Sequence, residues 1–177
     1  MSNGFDIAIF CSASEAAPAR FNECAAIVTE GLCTKGYGIV SGGTILGTMK
    51  VVADTVVRCG GYHKGVLPRF MEPYAYPALS QTVWTDTMSQ RKELMREGTV
   101  AAIALPGGIG TLDELIETHV LKKLRRYDGR VVILNFDGFF NPFLNLLDHY
   151  ISTGMLNPKD KALLEVFDTP EALLAAF

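Results

Sequence analysis

Ala102-Ile103-Ala104-Leu105-Pro106-Gly107-Gly108-Ile109-Gly110-Thr111-Leu112-Asp113-Glu114-Leu115-Ile116-Glu117 is the stretch that decides the fold. It opens as an apolar run of strand type and closes as an acidic amphipathic helix, with a glycine-rich turn between them. A strand that stops at Pro106 and hands over to such a turn leaves backbone N–H groups open at a helix N-terminus. Those groups, with the positive end of the helix dipole, suit a phosphate. A Cβ at the glycine positions would hold the anion away from the backbone. Thr111 adds a hydroxyl donor, and Glu114 lies one turn in, within reach of what the phosphate carries. The plainer alternative is a tight βα turn with Thr111 as N-cap and acids in the first turn. Capping alone does not call for so many glycines.

Working outward, short apolar runs alternate with segments of helical period. Phe5–Phe10 reads as a buried first strand, followed by the small residues Cys11-Ser12-Ala13-Ser14. Pro18 to Lys35 is helical, Ile39-Val40 is strand, and Ser41-Gly42-Gly43-Thr44 is a second glycine turn before a helix from Ile45 to Arg58. Lys64–Pro68 and Gln81–Thr85 read as strands, with 69–80 between them as loop, a candidate cover over a site. Met88 to Glu97 is helical and carries Arg91 and Lys92. Val100–Leu105 feeds the decisive turn, and Leu112 to Arg126 leaves it. Val131–Phe136 is strand, about 141–152 is helix, and Val166-Phe167 is a final edge strand between two short helical segments. The expectation is an α/β fold: a single-domain, Rossmann-like parallel sheet with helices on both faces, residues 1–177 forming one nucleotide-binding domain. Ligands bind such sheets beyond the carboxyl ends of the strands. The loops 11–14, 41–47 and 106–111 all lie there and converge on one site.

Bulk properties narrow the function. The chain has 177 residues, 49% hydrophobic and 20% charged, which is ordinary globular composition. A formal charge of −3 provides no broad basic field, so nucleic acid is not the expected partner. No apolar run is long enough to span a bilayer. Met1-Ser2-Asn3-Gly4-Phe5-Asp6 has no basic n-region followed by a long apolar h-region, so no export signal is expected. Cys11, Cys24, Cys33 and Cys59 form no CxxC pair and read as reduced thiols of a cytoplasmic protein. His63, His119 and His149 share no metal-ligand spacing, so no metal is expected.

Two familiar phosphate motifs fail. Gly42 to Gly47 has the gap of a Walker A loop, but Thr48 and Met49 follow where lysine and a magnesium-binding hydroxyl belong. Gly108-Ile109-Gly110 begins a dinucleotide fingerprint, but Asp113 stands at its third glycine, and Asp137 alone is a weak ribose acid.

Pro106-Gly107-Gly108-Ile109-Gly110-Thr111-Leu112-Asp113-Glu114, with Arg91-Lys92 upstream, resembles the LONELY GUY (LOG) family of cytokinin riboside 5′-monophosphate phosphoribohydrolases, whose signature is PGGxGTxxE paired with RK. Members are often labelled possible lysine decarboxylases, although no pyridoxal-phosphate lysine context is evident. The chain departs from the family pattern at Ser41, where a third glycine is usual, at Ser89 and Gln90 before the RK pair, and over 120–126. The resemblance implies hydrolysis of the N-glycosidic bond of a purine nucleoside 5′-monophosphate, with or without an N6 substituent. The products are free base and ribose 5-phosphate, and no cofactor is implied. It implies Arg91 and Glu114 as the catalytic pair. Ser12, Gly43, Lys92, Pro106, Gly107, Gly108, Ile109, Gly110, Thr111, Asp113 and Glu117 are the candidate substrate contacts, and a homodimer is the expected assembly. Glu114 suits an oxocarbenium-like transition state, either stabilising the cation or activating water. A guanidinium barely deprotonates, so Arg91 suits electrostatic positioning rather than general acid chemistry. The rival reading is a non-catalytic nucleotide or molybdenum-cofactor carrier of the same fold.

Overall fold

The computed structural model describes residues 5–177, and the reading of the first four residues lies outside it. Seven strands form one sheet in the order β4-β3-β2-β1-β5-β6-β7, and every pairing is parallel. They are β1 (Asp6–Phe10), β2 (Gly38–Ser41), β3 (His63–Pro68), β4 (Gln81–Thr85), β5 (Thr99–Ala104), β6 (Arg130–Leu134) and β7 (Leu164–Phe167). The helices are α1 (Ala19–Thr34), α2 (Gly47–Arg58), α3 (Met88–Arg96), α4 (Ile109–Lys123), α5 (Asn141–Ser152), α6 (Pro158–Lys161) and α7 (Pro170–Ala175). Short 3-10 helices occupy Arg69–Tyr74, about two turns, and Phe136–Gly138, a single turn. This is the expected α/β, Rossmann-like arrangement.

The central strands read as apolar runs because both their faces are covered. Ile7, Ile9, Ile103, Leu105, Val132 and Leu134 pack on one side with Val28 and Leu32 of α1 and Val52 and Val56 of α2. Ala8, Phe10, Ala102, Ala104 and Ile133 face the other side, against Met95 of α3, Leu115 of α4 and Leu147 of α5. Alternate residues of one strand thus serve two cores, as the period of two requires.

Strand order changes direction at β1, whose neighbours are β2 and β5. The chain therefore leaves β1 and β5 toward opposite faces of the sheet and opens a crevice between their carboxyl ends, the usual ligand position in such sheets. Most boundaries shift by one or two residues from the sequence reading, and the larger differences lie around α4 and after β3. The helix after the decisive turn starts at Ile109, three residues early, and stops at Lys123, because Arg125 takes φ +56° and cannot continue it. Thr111 is accordingly not the N-cap; Gly108 is, and the first turn holds no acid. The stretch after β3 is not all loop, since Arg69–Tyr74 makes a 3-10 helix. Among the described residues no helix is long and apolar enough to cross a membrane.

Candidate active site

The loop after β1, the start of α2, one residue of α3 and the first turn of α4 enclose a cavity of about 260 Å³ at this crevice. Ser12, Gly108, Gly110 and Thr111 line it, with Cys11, Met49, Arg91 and Glu114. A second cavity of about 290 Å³ shares Ala13, Met49 and Arg91 with the first, and its wall is Pro68, Phe70, Met71 and Met88. One space is polar at its floor and the other is apolar, and Arg91 stands between them. Two larger cavities, of about 690 and 720 Å³, open at the opposite end of the sheet, beside Gly38 and Thr99.

The phosphate-type turn is assembled as its glycines require. No side chain caps α4, so the N–H groups of its first turn are not consumed within the protein by a capping side chain. Gly107 must lack a Cβ because one built there would meet Thr111 Oγ1 at 2.2 Å. Thr111 is only 2% exposed, and its hydroxyl oxygen is buried without a hydrogen-bond partner. An orphaned hydroxyl costs on the order of 1–3 kcal/mol, which a ligand oxygen would recover. Ile109 lies 82% exposed and points out of the cavity, toward a groove with Phe139 and Leu146. Pro106 is buried beneath the turn.

Arg91 and Glu114 meet at the cavity floor, 7% and 4% exposed. Arg91 Nη1 donates to Glu114 Oε1 at 2.9 Å, and Nε donates to the Val66 carbonyl at 3.1 Å. The start of α3 fixes this register. Thr87 Oγ1 accepts the Gln90 N–H, and Gln90 Oε1 reaches back to the Asp86 N–H, a variant of the capping box. Gln90 is thereby occupied with the helix end. Gly42 of the second glycine loop lies flat against Arg91, where a Cβ would come within 2.4 Å of Nη2. Burial pushes the Glu114 carboxyl above the ordinary carboxylate range, against the pull of Arg91. Burial and the neighbouring Glu114 also push the Cys11 thiol far up, so it is an inert part of the wall.

The remaining candidates assemble elsewhere. Lys92 Nζ lies 2.9 Å from Asp113 Oδ2 and also pairs with Glu117, which takes a second bond from Arg96 Nη2 at 2.7 Å. Lys92, Asp113, Glu117 and Arg96 therefore form an outer ion-pair network, in which Glu117 supports Arg96 and Lys92 rather than Arg91. Gly43 sits behind the cavity, against Gly65 and Leu67. Asp137 is paired with Arg20 at 2.9 Å on the surface, and the ring nitrogens of His119 are buried without partners. Among the described residues no group of three His, Cys, Asp or Glu could hold a metal ion. Sequence reasoning missed the apolar wall of Phe70, Met71 and Met88. A six-residue 3-10 helix and one helix-end methionine carry no periodic signal.

The family model described as possible lysine decarboxylase matches residues 49–177. A cytokinin riboside 5′-monophosphate phosphoribohydrolase of Mycobacterium tuberculosis is 32% identical over 178 residues, covering 99% of this chain and 95% of that protein. A probable enzyme of the same name from Oryza sativa subsp. japonica is 30% identical over 170 residues, covering 95% of this chain and 70% of that protein. Among solved structures, the molybdenum cofactor carrier protein of Chlamydomonas reinhardtii superposes with a TM-score of 0.74 at 20% identity, over 97% of this chain and 94% of that one. That likeness is one of fold. The chain belongs to the LOG family, the family whose model is described as possible lysine decarboxylase.

Proposed function

We propose that the protein is a single-domain, homodimeric nucleoside 5′-monophosphate phosphoribohydrolase that releases a purine base, N6-substituted or not, and ribose 5-phosphate. The observation that carries this reading is the placement of an uncapped helix N-terminus and the orphaned Thr111 hydroxyl on the same small cavity as the buried Arg91–Glu114 pair. The 5′-phosphate takes the N–H groups of the α4 first turn, Thr111 Oγ1 and Ser12, and its binding energy positions the sugar. The base enters the apolar cavity behind Arg91.

Glu114 then faces the anomeric carbon. The C1′–N bond breaks as positive charge grows on C1′, and the carboxylate stabilises that charge and takes a proton from the attacking water. The water oxygen bonds to C1′, and the base departs with the C1′–N electron pair and takes up one proton, so that the proton held by Glu114 is returned to the base or to solvent. Arg91 engages Oε1 and keeps the carboxylate aimed, leaving Oε2 for the water. Lys92, Asp113 and Glu117 brace the α3–α4 contact behind this pair.

The homodimer is supported by one stripe that runs along α4 to its C-cap residue. Ile109, Ile116, Val120 and Leu124 recur at intervals of seven, four and four residues and are all exposed. A cytoplasmic setting is supported by four free cysteines. The test is chromatography of products from AMP and N6-isopentenyl-AMP incubated with metal-free protein. Free base with stoichiometric ribose 5-phosphate is the expected result. Binding of both nucleotides without cleavage would turn the reading to a carrier.

A further inference from the structure

Ser41 closes β2 and His63 opens β3, and both side chains are buried. Ser41 Oγ lies 2.7 Å from His63 Nε2 and accepts the Gly43 N–H at 3.1 Å. His63 Nδ1 is buried without a partner, so Ser41 provides the ring's hydrogen bond. From Gly43 the contacts run outward. The Gly43 carbonyl accepts the Tyr76 N–H at 2.9 Å, the Ile45 N–H donates to the Tyr74 carbonyl at 2.8 Å, and Thr44 bridges Ala75. These bonds tie the second glycine loop to the 3-10 helix whose Phe70 and Met71 wall the apolar cavity. The loop has no slack: Gly43 adopts φ +66°, and a Cβ there would come within 2.7 Å of Gly65 Cα. A glycine in place of Ser41 would leave the Gly43 N–H and His63 Nε2 without this shared partner in a dry interior, where each orphan is costly.

We propose that Ser41 and His63 form a positioning bracket that fixes the second glycine loop, and through it the Phe70–Met71 wall, and so sets the preference between N6-alkylated and plain purine nucleotides. The geometry stands by itself; the consequence for substrate choice rests on the phosphoribohydrolase reading. Both residues are buried behind the loop and touch no reacting atom. Their effect is therefore on the shape of the base side of the site and not on the Arg91–Glu114 chemistry.

The test uses two readouts on the full chain carrying Ser41→Ala. Native-state hydrogen exchange reads the bracket: the amides of Gly43, Ile45 and Tyr76 should exchange about tenfold faster, the scale of one lost hydrogen bond, while that of Ile39 in the same strand holds. Steady-state kinetics reads the consequence: the ratio of kcat/KM for N6-isopentenyl-AMP to that for AMP should shift about fivefold, with inhibition by ribose 5-phosphate within about twofold of wild type. Unchanged exchange, or faster exchange with an unchanged ratio, would overturn the proposal. Where Ser41→Ala does not accumulate, His63→Phe removes the ring nitrogens while keeping a flat ring and must give the same two changes. If the wild type cleaves neither nucleotide, the hydrolase reading fails. The ratio of the two Kd values, measured by calorimetry, then replaces the kinetic ratio, and exchange still decides the bracket.

Discussion

Helix α4 carries two glutamates one turn apart, and they live in opposite surroundings. Glu114 faces inward to Arg91 and is 4% exposed; Glu117 is partly exposed and bonds to Lys92 and Arg96. Burial lifts the Glu114 carboxyl above its ordinary range, and one guanidinium does not bring it back. Burial also pushes Glu117 upward, but the hydrogen bonds from Lys92 and Arg96 outweigh it, and that carboxyl falls below its ordinary range. Two identical side chains on one helix are thus tuned apart. The one whose proton is held more tightly borders the cavity, the pattern expected of a working acid–base group. The other is a brace. The inner pair has one cation for one carboxylate and adjoins an orphaned hydroxyl, whereas the outer network sets two cations, Lys92 and Arg96, on Glu117.

The strongest way to break this comparison is Glu114→Gln. It keeps the hydrogen bond from Arg91 and removes the base, so kcat should fall by about 10²- to 10⁴-fold while ribose 5-phosphate still binds within about twofold of wild type. The wild-type pH profile belongs to the same test. The base works deprotonated, so kcat should fall as pH drops through a value above the ordinary glutamate range. Equal kcat in Glu114→Gln and wild type would remove Glu114 from the mechanism.

A second contrast lies within the buried polar groups. Burial lowers the His63 pKa from 6.5 to about 4. The unfolded chain takes up a proton below pH 6.5 and the native chain does not until about pH 4. Stability therefore declines as pH falls across that window and levels off below it. At pH 4.5 the loss assigned to His63 is about 2–3 kcal/mol relative to neutral pH. Urea unfolding at pH 7 and 4.5 should show this acid penalty in the wild type and its absence in His63→Phe. Smaller again is Thr111→Val, which removes the orphaned hydroxyl at constant shape. It should raise KM about tenfold, with kcat within about threefold, because the interaction is made to the phosphate throughout the reaction. A fall in kcat with unchanged KM would move Thr111 from the phosphate to the reacting centre.

What could be read from the chain follows the same division. The strands were legible because residues buried on both faces must be apolar in runs, and the parallel sheet followed from their alternation with helices; the switch point at β1 needed the strand order. The convergence of the loops 11–14, 41–47 and 106–111 followed from that topology alone. The start of α4 was not legible, because a helix that leaves its N-terminus uncapped for a ligand carries no cap signal at Gly108. Arg91 and Glu114 stand 23 residues apart and meet only through the packing of α3 and α4, so their pairing came from the family signature rather than from spacing. The bracket of Ser41 and His63 could not be seen at all. A lone serine and a lone histidine 22 residues apart become a pair only when β2 and β3 lie side by side.

The smallest expected effect sharpens the comparison most. Glu117→Gln weakens two ion pairs of the outer network but leaves its hydrogen-bonding shape in place. Glu117 is the solvent-reached partner of both pairs, whose cations are largely buried, and such screened pairs contribute about 0–1 kcal/mol each while the glutamine oxygen still accepts from the cations. The prediction is a midpoint of urea unfolding little changed from wild type and a kcat within about threefold, with the acid limb of the pH profile where it was. If Glu117→Gln instead moves that limb, the two carboxylates titrate as a coupled unit and the limb belongs to the pair. If it abolishes turnover while sparing the fold, then Glu117 joins the chemistry, and the division of α4 into a working face and a bracing face is wrong.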